Sequence, residues 1–180
     1  MTRYIALLRG INVGGKQVRM ELLRASFEAL GFKNVQTYIQ SGNVVFNAAS
    51  ESASPLIKKI ERKLLDEFGF PVSLVLRSAD ELRAVAESNP FVHDKTVDQG
   101  RLHVTFLPEF VPAAAAEVLE SLAGKGERFH VSGREIFLYC PNGYGTSKLA
   151  NPLIERKLRV TATTRNWKTV QTLVAMADED

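Results

Sequence analysis

Cysteine is almost absent from this chain. Cys140 stands alone among 180 residues, which excludes an internal disulfide and leaves no thiolate-rich metal site. Histidine is scarce too: His93, His103 and His130 are the only three, and no two fall at metal-ligand spacing. No apolar stretch approaches the roughly 20 residues of a spanning helix, and no cationic start followed by an apolar run opens the sequence. A Ser/His/Asp order, a zinc spacing and a paired-carboxylate motif are all missing. These absences predict a soluble cytoplasmic protein with no resident metal and no assignable cofactor. Charge of one sign is not in great excess either. A net charge of +3 and a pI near 9.1 permit an anionic partner without requiring one.

What is present is an ordinary globular mixture, 45% hydrophobic and 24% charged, long enough for one domain or two small ones. Arg3–Arg9 (RYIALLR) is a nearly unbroken apolar run ended by Gly10, the pattern of a strand buried on both faces. Met20, Leu23, Phe27 and Leu30 recur at helical spacing, and Gly31 predicts the stop. Val35–Gln40 and Asn43–Asn47 flank Ser41-Gly42 and read as a hairpin. Ser54-Pro55 predicts a helix start, Ile57, Ile60, Leu64 and Phe68 its apolar stripe, and Gly69 its end. A strand over Pro71–Leu76 completes β-α-β-β-α-β, the split arrangement of a ferredoxin-like unit.

Ser78-x-x-Glu81 is a capping box that opens a short helix, and a polar loop runs from Asn89 to Gly100. The spacing then predicts a strand over Arg101–Leu107 and a helix near Ala113–Ala123. A hairpin of Glu127–Ser132 and Glu135–Tyr139 turns at Gly133, and helices follow around Ser147–Leu158 and Arg165–Ala177. The expected fold class is α+β with two closely packed subdomains. Residues 1–77 form the ferredoxin-like one (βαββαβ). Residues 78–180 form a related βαββα unit with an extra C-terminal helix, free to interweave with the first. No residue-level repeat joins the halves.

Three segments carry candidate chemistry. Gly10-Ile11-Asn12-Val13-Gly14-Gly15-Lys16-Gln17 falls one residue short of a phosphate-gripping loop, because Gln17 stands where a magnesium-binding hydroxyl belongs. Its amides, Lys16 and nearby Arg9 suit an anion, whereas nucleotide hydrolysis by this loop does not follow. The plain reading is a tight turn in which glycine supplies positive φ. In Thr163-Thr164-Arg165-Asn166-Trp167-Lys168, Thr164 is placed to cap the last helix beside Arg165, Asn166 and Lys168. Trp167 shares a helical face with Val170 and Val174 and reads as core. Tyr144-Gly145-Thr146-Ser147-Lys148 adds hydroxyls and a cation. Ser147 and Lys148 are adjacent and diverge on a helix, so Ser147 reads as a cap or an anion-binding hydroxyl and not a nucleophile. His103 and His130 read as surface residues, Cys140 as a structural thiol, and Asp94 and Asp98 as the only loop carboxylates available to an enzyme.

Four stretches resemble a known family: Leu7–Lys16, Thr37–Phe46, Gly145–Asn151 and Ala162–Trp167 are similar to segments of the bacterial domain of unknown function family 1697. The resemblance runs from near residue 5 to near residue 175. It implies two interwoven α+β subdomains with a ferredoxin-like first part, and it implies no activity. The residues then support one leading expectation: a phosphate-bearing ligand, a nucleotide or RNA, held in a cleft between subdomains. Arg9, Asn12, Gly14, Gly15, Lys16, Ser147, Lys148, Arg165, Asn166 and Lys168 would hold it. A small phosphoryl- or nucleotide-processing enzyme and a non-catalytic interaction module are the alternatives.

Overall fold

The computed structural model describes residues 1–179, so Asp180, where the sequence reading ends its second subdomain, lies outside the described residues. The chain divides into two compact units. Met1–Arg83 and the segment from Leu173 onward make the first, and Ala84–Thr172 the second.

In the first unit the order is β1 (Thr2–Leu8), α1 (Met20–Ala29), β2 (Lys33–Tyr38), β3 (Asn43–Ala48), α2 (Ala53–Phe68) and β4 (Leu74–Ser78). The antiparallel sheet has strand order β2-β3-β1-β4, consistent with the ferredoxin-like description. Period-two alternation sends Tyr4, Ala6 and Leu8 of β1 to the same core as Leu23 and Phe27 of α1 and Leu56, Ile60 and Leu64 of α2. Ile5 and Leu7 point to the opposite face and are buried as well, which accounts for the unbroken apolar run in the sequence. Phe46 is the hub of the helix-side core. Its ring stacks on Phe32 at 4.6 Å and meets the edge of Phe27 at 5.2 Å. Helix ends follow their signals: Gly69 closes α2 in the left-handed region, and Gly31 follows α1 with φ 85°. The start of α2 differs from expectation, with Ser52 at the cap position and Ser54 and Pro55 inside the first turn.

A short α3 (Ala79–Glu87) follows, and its capping box is formed. The Ser78 amide donates to Glu81 Oε2 at 2.8 Å, and the Glu81 amide donates to Ser78 Oγ at 3.2 Å. The second unit then runs β5 (Leu102–Phe106), α4 (Ala115–Leu122), β6 (Arg128–Ser132), β7 (Glu135–Tyr139), α5 (Asn151–Leu158) and β8 (Thr163–Asn166), before α6 (Trp167–Asp178). Its sheet order, β6-β7-β5-β8, repeats that of the first unit position for position. The sequence pattern predicted no β8, because its four residues, Thr-Thr-Arg-Asn, are all polar and leave no hydrophobic period to read. Helix α5 starts at Asn151 and not at Ser147, with Pro152 in its first turn, where a missing N–H costs nothing.

Phe46→Ala is expected to lower the unfolding free energy by about 3–5 kcal/mol, read as a shift of the urea midpoint at unchanged slope. Phe46→Leu should cost clearly less. Equal midpoints for Phe46→Ala and the wild type would show that the ring stack does not anchor this core.

Candidate functional site

The glycine loop folds as a hairpin tip. Gly14 and Gly15 have φ of 57° and 84°, the signs a type I′ turn requires, and the Lys16 amide donates to Val13 O at 3.2 Å. The Asn12 amide closes the tip by donating to Lys16 O at 2.7 Å. The Asn12 side chain donates to Val18 O (3.1 Å) and Gln40 O (2.6 Å) and accepts from the Val18 amide (2.8 Å). Asn12, itself left-handed at φ 55°, therefore fastens its own loop to the β2–β3 turn. Gly14, Gly15 and Lys16 are exposed, and Lys16 Nζ sits 6.0 Å from the centre of the Phe70 ring. Arg9 is exposed and its amide donates to Ser73 O. Helix α1 begins only at Met20, so its N-terminal amides do not follow Lys16 directly as they would in a phosphate-binding strand–loop–helix.

In the second unit the sequence-predicted residues separate into two groups. Thr164 lies in β8 and does not cap a helix. Its hydroxyl meets Thr105 Oγ1 at 2.8 Å and donates to Asn151 Oδ1 at 3.4 Å. The cap of α6 is Asn166, whose Oδ1 accepts from the Thr169 amide at 2.8 Å. Arg165 is only 7% exposed and donates from one nitrogen to Thr163 Oγ1 (2.7 Å) and Thr164 O (2.9 Å). Desolvation pushes its ionisation down to about 10, which leaves it charged at neutral pH. Lys168 is exposed, and Trp167 is core as its helical face predicts.

Asn151 ties the neighbouring segment to β8: its amide donates to the Tyr144 hydroxyl (2.7 Å) and its side chain to Ala162 O (2.7 Å). His103 stacks on Tyr144 with ring centres 4.7 Å apart, and its buried Nδ1 has no partner among the described residues, so it is not the surface histidine expected. Burial pushes the Cys140 thiol up, with the Ser147 hydroxyl opposing, which fits an inert structural cysteine.

Ser147 and Lys148 reach a cavity of about 400 Å³, where Thr146, Asn142, Lys125 and Glu127 join them. Among the described residues neither Lys125 nor Lys148 forms an ion pair. Glu127 is anchored by the Gly124 amide, which donates to its Oε2 at 2.7 Å. Sequence reasoning missed Lys125 and Glu127. The available signal was Gly124-Lys125-Gly126, a lysine between glycines at a helix-to-strand turn. The loop carboxylates are used locally: Asp94 accepts from Thr96 and Arg128, and Asp98 accepts from the Gly100 amide. Among the described residues no three acidic, histidine or cysteine side chains gather where a metal would fit. No helix among them is long and apolar enough to cross a membrane.

Residues 1–137 match the family described as "Protein of unknown function (DUF1697)", and the chain belongs to that family. Over 99% of both chains it is similar to the solved structure of the conserved bacterial protein SP0830 from Streptococcus pneumoniae, with 29% identity and a TM-score of 0.80. No curated protein matches it.

Two glycines separate architecture from open space. A Cβ on Gly42 (φ 84°) would lie 2.5 Å from Ile11 Cδ1 and 2.9 Å from Leu8 Cβ, whereas one on Gly14 would meet nothing within 4 Å. Gly42→Ala is expected to destabilise by at least about 2 kcal/mol, combining overpacking with a left-handed alanine. Gly14→Ala should cost about 1 kcal/mol. Equal denaturation midpoints for the two variants would refute this ranking.

His103 supplies a pH prediction. Burial pushes its pKa below the ordinary histidine value, with the Arg101 backbone opposing, so the unfolded chain takes up the proton more readily. Stability is then full above about pH 6.5 and falls as the pH drops below it. His103→Gln should flatten the plot of urea midpoint against pH across that window. An unchanged slope would assign the effect elsewhere.

Proposed function

We propose that the protein binds a phosphate-bearing ligand, a nucleotide or RNA, and that the cavity lined by Lys125 and Lys148 receives the phosphate. The observation that carries this reading is the lining itself: two lysines without ion pairs, two hydroxyls (Thr146 and Ser147) and the Asn142 amide around one cavity. Ammonium groups contribute charge-assisted hydrogen bonds to phosphate; the Thr146 hydroxyl would turn to it from its long bonds to the Asn142 and Gly143 carbonyls, while Ser147 Oγ already accepts from the Leu149 amide. Glu127 opposes the anion, but its carboxylate is occupied on one oxygen by the Gly124 amide. Of the residues singled out from sequence, Ser147 and Lys148 act here, and Arg165 and Asn166 serve by shaping β8 and capping α6. The exposed tip at Gly14, Gly15 and Lys16 is the second candidate anion contact of the chain, with Arg9 and Asn12 supporting its loop. A lone buried cysteine accords with a reducing compartment, and we place the protein in the cytoplasm.

The test is fluorescence anisotropy of a labelled nucleoside triphosphate and of a labelled single-stranded RNA, at low and moderate salt. Lys125→Ala/Lys148→Ala is expected to weaken binding by about tenfold or more, since a hydrogen bond to a charged group contributes about 1.5–3 kcal/mol. Binding that survives the double substitution would move the site elsewhere, and Lys16→Ala would then be measured. No binding of either probe would refute the proposal.

A further inference from the structure

The phosphate cavity has a neighbour. A second cavity, of about 490 Å³, shares Ala123 and Glu127 with it and is lined further by Pro90, Phe91, Glu120, Arg128, Phe129 and His130. Chemistry therefore changes in a fixed order across the pair. Lysines and hydroxyls stand at one end, Glu127 among the shared residues, and rings with a guanidinium and the Glu120 carboxylate at the other. Arg128 lies over the Phe91 ring with its central carbon 5.0 Å from the ring centre, and it donates to Asp94 Oδ2 at 2.7 Å. Arg128 and Thr96 hold the Asp94 carboxyl down at about 2, so the pair is charged throughout the physiological range. The Arg128 side chain remains 49% exposed while lining the cavity.

We infer that the two cavities take the two ends of one nucleoside phosphate. The phosphates lie at Lys125 and Lys148, the ribose hydroxyls donate to Glu127, and the base stacks at Arg128 among the rings of the second cavity. The inference rests on the phosphate-binding reading above and adds the class of ligand. A carboxylate beside a phosphate site is unfavourable for inorganic phosphate alone. It becomes useful when the ligand carries a diol next to its phosphate, because ionised Glu accepts and a ribose hydroxyl donates. Glu127 is equipped for this: Oε2 takes the Gly124 amide, and Oε1 has no partner among the described residues. A guanidinium plane backed by a ring is a stacking platform for any base. Each cavity falls in the size range of small-molecule sites.

Calorimetric titration of the full chain with tripolyphosphate, with ATP and with a single-stranded RNA ten-mer tests this. ATP is expected to bind about tenfold more tightly than tripolyphosphate, the contribution of one stacked base. Arg128→Lys keeps the charge and removes the plane. It should erase most of that preference while leaving tripolyphosphate affinity unchanged, which also reports that the variant is folded. Equal affinities of ATP and tripolyphosphate, both lost in Lys125→Ala/Lys148→Ala, would overturn this inference and leave the phosphate-binding reading standing. RNA bound without ATP would overturn it in favour of an extended ligand. Silence from all three probes would remove both readings.

Discussion

The constraint on which the structure depends is the double burial of each four-stranded sheet. Helices cover one face, yet the side chains that point the other way, Ile5 and Leu7 in the first sheet and Val104 and Phe106 in the second, are also out of solvent. A charged residue on such a face must be satisfied within the protein, because an isolated buried charge is far too costly. Each sheet nevertheless carries one buried arginine there. Arg77 on β4 stands opposite Ile5, and Arg165 on β8 stands opposite Val104. Both are buried, and both turn a guanidinium nitrogen back to the carbonyl of the preceding residue, Leu76 or Thr164, at 2.9 Å.

The correspondence extends beyond the arginines. Across three adjacent strands, β3-β1-β4 and β7-β5-β8, the rows Val45–Ile5–Arg77 and Phe137–Val104–Arg165 occupy equivalent positions, and the next rows pair Asn43–Leu7–Val75 with Glu135–Phe106–Thr163. A buried polar residue, Asn43 or Glu135, thus recurs at the same place in each sheet. The two units repeat one plan in backbone and in the placement of buried polarity. The letters differ almost everywhere, which is why no repeat shows along the chain.

What the sequence revealed follows the same division. Caps, turns and apolar periods are local, so the Ser78–Glu81 box, the Gly69 stop and the two hairpins were legible. Strand β8 was not, since its residues are sorted by their partners: Thr164 toward the Thr105 and Asn151 polar cluster, Thr163 and Arg165 toward the other buried face. The glycine loop was conspicuous in letters, but a type I′ turn and an anion-gripping loop both call for glycine, and only the backbone tells them apart. Lys125 and Lys148 carried the opposite difficulty. Lys125 is an ordinary lysine in sequence, Lys148 was singled out there without a partner, and their shared cavity exists only once α4 and the segment before α5 are placed. Tyr144, Thr164 and Asn151 hold that segment in position beneath the cavity wall.

Strand β6 lies at the border of its sheet, where unpaired amides and carbonyls invite another chain to add a strand. Its first residue, Arg128, is clamped to Asp94 and laid over Phe91, both from the loop that precedes β5. That loop therefore acts as a guard rail at one end of an exposed edge. Charge at a border strand is one of the devices by which sheets discourage edge-to-edge pairing. The same contact that sets a guanidinium at the second cavity thus also sets a charged pair at that end of the sheet border.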